Sequence, residues 1–180
     1  MIYYSIPYNS EKNLGQYYNG FMQLLPDNND FACFMDGDAM FLHPFFGSQL
    51  EKIIALHPEC GLFTCTTNRV GAKWQLANNW EDNNIKNHRA YATAVYNSKG
   101  YECEDVTNKP DAMLMSGVMI LIRKSTWLNL GGFEEKGMLG IDTDIHRKAK
   151  AKGEKLYLMK GVYIYHWYRG GHAANKTHLL

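Results

Sequence analysis

The stretch FACFMDGDAMFL, residues 31–42, decides how the rest of the chain is read. Its first five residues are apolar without interruption, and the run stops at Asp36 and Gly37. A half-exposed strand would alternate with polar residues and an amphipathic helix would show them every three or four positions, so this run reads as a strand buried on both faces. Such a strand needs neighbours and covering helices, and the flanking text supplies them. Upstream, residues 2–7 (IYYSIP) read as a short strand stopped by proline. From Leu14 the apolar positions Leu14, Tyr17, Tyr18, Phe21, Met22 and Leu25 recur at helical spacing until Pro26. Downstream, residues 49–56 read as a helix ending before Pro58, and residues 62–66 as another strand. The order β, α, β, α, β predicts an α/β fold with a mostly parallel central sheet and helices on both faces.

Further along, residues 68–99 change character. Asn68, Asn78, Asn79, Asn83, Asn84 and Asn87 crowd around Trp74 and Trp80, which reads as a long polar surface excursion, helical in part, suited to covering a site. Regular text returns at residues 117–123 (GVMILIR), a buried strand, followed by a short helix from Ser125 to the pair Gly131 and Gly132. Residues 142–152 carry Asp142 and Asp144 in the first turn and Lys148, Lys150 and Lys152 in the last, with Gly153 behind them. That charge order complements a helix dipole at both ends. Two short strands, LYLM and VYIYHWY, come next, and residues 170–180 form a polar, glycine-rich tail.

At 180 residues the chain has the length of one domain, and 46% hydrophobic residues suffice for a core, which excludes general disorder. Nineteen basic against eighteen acidic side chains give a net charge of +1, which argues against nucleic acid or an anionic membrane as partner. No apolar run reaches the ~20 residues of a membrane span. The opening MIYYSIPYNSEK lacks the features of a signal peptide, which predicts a cytoplasmic location. Cys33, Cys60, Cys65 and Cys103 have no metal-site spacing and read as free thiols, three of them (Cys33, Cys60 and Cys65) in apolar, strand-like text that suits packing.

Three groups of residues carry candidate chemistry. Asp36-Gly37-Asp38 lies at the carboxyl end of a buried strand, where α/β proteins collect their ligands, and two carboxylates on one turn can hold a hard divalent cation. The same spacing in Asp142-Thr143-Asp144 shows that it also arises as a simple acidic cap. His166 ends an apolar strand, where a histidine is either a satisfied core residue or a ligand. Joined to Asp36 and Asp38, it makes a set suited to Mn2+ more than to Ca2+. Asp142 and Asp144 start a helix and act either as caps or, for Asp142 after its glycine-bearing approach, as a fixed ionised base.

The ordered series IPYN, KNLGQYYNGF, FACFMDGDAMFL, MSGVMILIRKSTWLNLGGFEE, LGIDTDIHRKAKAKGEKLYL and YHWYR resembles a family 2 glycosyltransferase of the GT-A fold over residues 6–169. The resemblance implies a single domain with a donor- and metal-binding half (1–67), a polar cover (68–99), an acceptor half (100–169) and a tail (170–180). It implies Mn2+ or Mg2+ held by Asp36, Asp38 and His166, and a nucleotide-diphosphate sugar contacted by Pro7, Tyr8, Asn9, Asn13, Gly15, Asp36, Gly37 and Asp38. Asp142 matches the family's base, and Ser116, Gly132, Phe133 and Glu134 would lie along the acceptor cleft. The implied partners are the sugar nucleotide and a glycan, lipid-linked or protein acceptor. One departure stands out: IPYN passes almost directly into KNLG, so the family's base-recognition unit is shortened or missing. Two other readings remain at this point, a non-catalytic module that binds sugar nucleotides and a phosphatase of the haloacid dehalogenase type. The second is disfavoured because a strand and a helix precede Asp36 and no answering lysine stands out.

Overall fold

The computed structural model describes residues 1–77 and 82–168. Within them seven strands build one open sheet: β1 (Ile2–Ser5), β2 (Phe31–Met35), β3 (Ala39–Phe41), β4 (Leu62–Thr67), β5 (Cys103–Asp105), β6 (Met119–Arg123) and β7 (Leu156–His166). They lie in the order β1-β2-β6-β4-β7-β3, with β5 on β7. Among the described residues five α-helices accompany them: α1 (Leu14–Leu24), α2 (Phe46–Leu56), α3 (Ile85–Lys99), α4 (Lys124–Leu130) and α5 (Ile141–Lys152).

The fold is α/β, but the expected mostly parallel sheet is a mixed one. β1 pairs with β2 and β4 with β7 in parallel, whereas β6 runs against both β2 and β4, and β3 and β5 run against β7. A short β-α-β crossover fixes strand direction, whereas β6 is reached after the long segment 68–118 and is free to enter reversed. It inserts between β2 and β4, so early and late parts of the chain share one sheet.

Each face of the sheet has its own core. On one face Tyr18 and Met22 of α1, Trp127 and Leu130 of α4, and Ile145 and Ala149 of α5 meet Ala32, Phe34, Ile120 and Leu158. On the other, Leu50 and Ile53 of α2 meet Cys33, Phe63, Leu121 and Met159. Helices therefore do cover both faces. The four cysteines are free, and burial pushes the Cys33 and Cys60 thiols up to about 12, as expected of packing groups.

Residues 68–99 are more regular than their polar text suggests. After a 3-10 turn at Lys73–Gln75 comes α3, fifteen residues long, started by Asn84, whose side chain accepts the Lys86 N–H. α3 docks on β7 through His88, whose Nδ1 lies 2.6 Å from the Tyr163 hydroxyl. Asn78, Asn79 and Trp80 lie outside the described residues, as does the tail 170–180. Among the described residues no helix is long and apolar enough to cross a membrane.

The two strands expected at LYLM and VYIYHWY are one strand, β7, with a bulge. Its register against β4 jumps from Cys65↔Met159 to Thr66↔Tyr163, and the polar pair Lys160-Gly161 that imitated a turn lies in the jump. This arrangement places one edge of the sheet in common use. Met35 at the end of β2 pairs with Met119 at the start of β6, and His166 at the end of β7 pairs with Ala39 at the start of β3.

Candidate active site

At that edge Asp36-Gly37-Asp38 forms a tight turn between β2 and β3, closed by the Ala39 N–H donating to the Asp36 carbonyl at 3.1 Å. The Asp36 N–H donates to Val118 O, and the Trp167 N–H donates to Asp38 O at 2.9 Å, which ties the turn to the loop before β6 and to the end of β7. Gly37 faces Ile6 of the loop after β1.

His166 is delivered to the turn by β7 and is 5% exposed. Asn68, just past β4, holds its backbone as a neighbouring strand would: His166 N–H donates to Asn68 Oδ1 at 2.8 Å, and Asn68 Nδ2 donates to His166 O at 3.2 Å. The ring nitrogen Nδ1 lies 2.6 Å from the Arg69 carbonyl oxygen. A carbonyl only accepts, so Nδ1 carries a proton, and in the neutral ring Nε2 presents a lone pair. That lone pair faces the Asp38 carboxylate at 3.2 Å and the Asp36 carboxylate at 3.9 Å. Three acceptors facing one another repel unless a proton or a cation lies between them.

The spacing suits a cation. One ligand atom from each of Asp36, Asp38 and His166 lies within 4.8 Å of the others. Donors about 2.1 Å from a small divalent ion stand about 3.0 Å apart at right angles and about 4.2 Å apart across it. The separations of 3.2 and 3.9 Å fall in that range. Two carboxylate oxygens and an imidazole, its other nitrogen anchored on a backbone carbonyl, form a set that could hold a divalent metal ion.

Burial, then the charges of Asp38 and Asp142, push the Asp36 carboxyl up to about 7. Burial, then the carboxylates of Asp36 and Asp142, raise the Tyr18 phenol well above its ordinary value. Tyr18 is carried by α1, whose apolar stripe packs on β2, and its ring lies 4.3 Å from that of Phe34. Asp36, Tyr18 and Asp142 line one cavity of about 280 Å³ together with Leu14, Gly117, Ile120, Met138, Leu139, Gly140 and Ile141.

Asp142 enters the cavity from the first turn of α5. Its Oδ2 accepts the Gly117 N–H at 2.7 Å and its Oδ1 the Thr143 N–H at 2.9 Å. Gly117 is one of three successive loop residues whose amides are each held by a side chain, two from α5 and one from the 3-10 turn after β4. Met115 N–H donates to His146 Nδ1, Ser116 N–H to Gln75 Oε1, and Gly117 N–H to Asp142. Gln75 Nε2 also donates to Thr64 Oγ1 on β4 at 2.8 Å, which anchors the loop to the sheet. Gln75, His146, Asn68 and Tyr18 went unread in the sequence as site-builders. Asn68 had a detectable signal, its place directly after a buried strand.

The remaining candidates of the sequence lie around this centre. Asn9 accepts the Glu11 and Asn13 N–H groups, and Asn13 caps α1 by accepting the Gln16 N–H. Tyr8 is exposed on the same loop, after Pro7. Gly15 packs against backbone at Glu134, where a Cβ would stand 1.9 Å from the carbonyl oxygen. Ser116 Oγ accepts the Ala72 N–H at 3.0 Å. Gly132 takes φ +81, Phe133 is buried against Tyr18 and Phe34, and Glu134 pairs with Lys136 at 2.6 Å. Asn19 of α1 grips that turn, accepting the Phe133 N–H and donating to the Phe133 carbonyl. Asp36, Asp38, His166 and Asp142 thus converge, while Gly15, Ser116, Gly132 and Phe133 are engaged in packing and backbone support.

Comparison with protein-family models and with curated proteins finds no match to this chain.

Proposed function

We propose that the chain is a metal-dependent glycosyltransferase that moves a sugar from a nucleotide-diphosphate donor to an acceptor hydroxyl, with inversion. The observation that carries this reading is the convergence of Asp36, Asp38 and His166 beside a cavity that Asp36 and Asp142 line together. A divalent cation at the three donors supplies the charge neutralisation that a diphosphate leaving group requires. Asp142 is the base: fixed by the Gly117 amide and by its place at a helix N-terminus, it stays oriented toward the cavity and takes the acceptor proton. A base on one side and a leaving group on the other favour direct displacement, hence inversion. The order of the sequence motifs supports the same reading.

Calorimetry with a panel of nucleoside diphosphates and their sugar conjugates tests it. Binding is expected to need Mn2+ or Mg2+, to be lost in Asp38→Ala and to weaken in His166→Ala. Equal affinity in excess chelator refutes the metal-dependent site. A donor-hydrolysis assay then separates a transferase from a module that binds sugar nucleotides without turnover.

A further inference from the structure

The cavity between Asp36 and Asp142 has a character that the motifs do not convey. Apart from the two carboxylates and the Tyr18 phenol its lining side chains are apolar, with Leu14 from α1, Ile120 and Ile141 deeper in, and Met138 and Leu139 at the mouth. Among the described residues no Lys, Arg or His lines it. Met138 and Leu139 remain exposed, Leu139 at 90%. They are held there by structure on both sides. The Leu14 N–H donates to Gly137 O at 3.0 Å, Asn19 Nδ2 donates to Glu135 Oε1 at 2.8 Å, and Gly137 and Gly140 turn the chain at φ +74 and +85. Two apolar side chains fixed at the rim of a cavity offer a surface for an apolar ligand group.

Charge narrows the ligand further. Two cations flanking the rim segment are engaged: Lys148 pairs with Asp144 at 2.7 Å and donates to Gly132 O at 2.9 Å, and Lys136 pairs with Glu134. The N-terminus of α5, which in principle attracts anions, already carries the Asp142 carboxylate on its Thr143 amide. An anionic ligand approaching Asp142 would meet its carboxylate and no cationic side chain in the lining. A hydroxyl would meet Asp142, whose oxygens each retain a free acceptor position beside the amide they already bind.

We infer that this cavity takes an uncharged, hydroxyl-bearing acceptor with an apolar or aromatic flank lying on Met138 and Leu139, and rejects anionic acceptors. The word acceptor rests on the transferase reading, whereas the binding preference rests on the cavity alone.

The test uses the whole chain with 13C-labelled Met and Leu methyl groups, without donor, and three probes: 4-nitrophenyl β-glucoside, methyl β-glucoside and 4-nitrophenyl β-glucuronide. The aryl glucoside is expected to shift the Met138 and Leu139 methyl resonances and to bind at least about tenfold more tightly than either other probe. Leu139→Lys, at a position with no packing to lose, is expected to remove most of the discrimination against the glucuronide. The inference is overturned if the glucuronide equals the glucoside in wild type, if no probe moves those methyl groups, or if Leu139→Lys leaves the ratio unchanged. Sugar transfer is assayed separately. Selective binding with no transfer from any donor keeps this inference and removes the transferase reading.

Discussion

Asp142 and Asp144 lie two residues apart on one helix and hold different partners. Asp142 Oδ2 accepts a loop amide at the cavity. Asp144 Oδ2 meets Lys148 Nζ at 2.7 Å one turn along α5. The two should therefore fail differently. Asp142→Asn keeps an oxygen for the Gly117 N–H, so the fold should survive while transfer falls by ~10²–10⁴, the usual cost of losing a general base. Asp144→Asn loses a helix-dipole charge and a partly buried ion pair, expected to lower the melting temperature by about 1–4 °C with transfer retained. Wild-type transfer rates in Asp142→Asn at saturating acceptor would reject the assignment. The D-x-D turn was legible in sequence because a turn is local and its carboxylates lie at the end of an apolar run. Gln75, Asn68 and His146 were not, because each bonds a backbone group that only the tertiary fold brings near.

Among elements, β7 and α1 show that one substitution can act in opposite directions. The bulge of β7 brings Gly161 so close to Gly100 that a Cβ would stand 2.0 Å from its carbonyl oxygen, and Gln49 Nε2 donates to both carbonyls at 2.8 Å. Gly161→Ala must move backbone and is expected to cost about 1–3 kcal/mol or more. Gly20 sits inside α1, and a Cβ added there would meet nothing within 4 Å, so Gly20→Ala is expected to stabilise by about 0.5–1 kcal/mol. Urea midpoints of the two variants check both signs at once. The existence of the buried strands was legible from their unbroken apolar text, as was α5 from its charges. Their directions were not, since nothing in GVMILIR tells a strand which way to enter a sheet. β3 and β5 escaped notice for a related reason: three residues carry too little pattern to distinguish a strand from a loop.

For the molecule as a whole, buried histidines contribute to the loss of stability in acid. His146 is fully buried, its Nδ1 accepts the Met115 N–H, and burial lowers its pKa below the ordinary 6.5. The unfolded chain therefore takes up a proton that the folded one refuses, so this contribution is complete above pH 6.5 and is lost as the pH falls from there toward the folded value. His43, lowered by the same cause, acts in the same direction. Asp36 acts oppositely: raised to about 7, it favours the fold at low pH and loses that contribution as the pH rises through 7. Comparing wild type with His146→Asn, which keeps an acceptor for Met115, cancels the Asp36 effect. The variant is expected to lose less stability between about pH 7.5 and about pH 5, on either side of the ordinary histidine value, and parallel pH profiles would refute the role of His146. The pairing of Ala39 with His166 has one last consequence, topological in nature. A cation gripping the turn at residue 38 and the strand end at residue 166 would staple distant parts of the chain as a disulfide does, and withdrawing it by chelation would loosen the whole fold as well as empty a site.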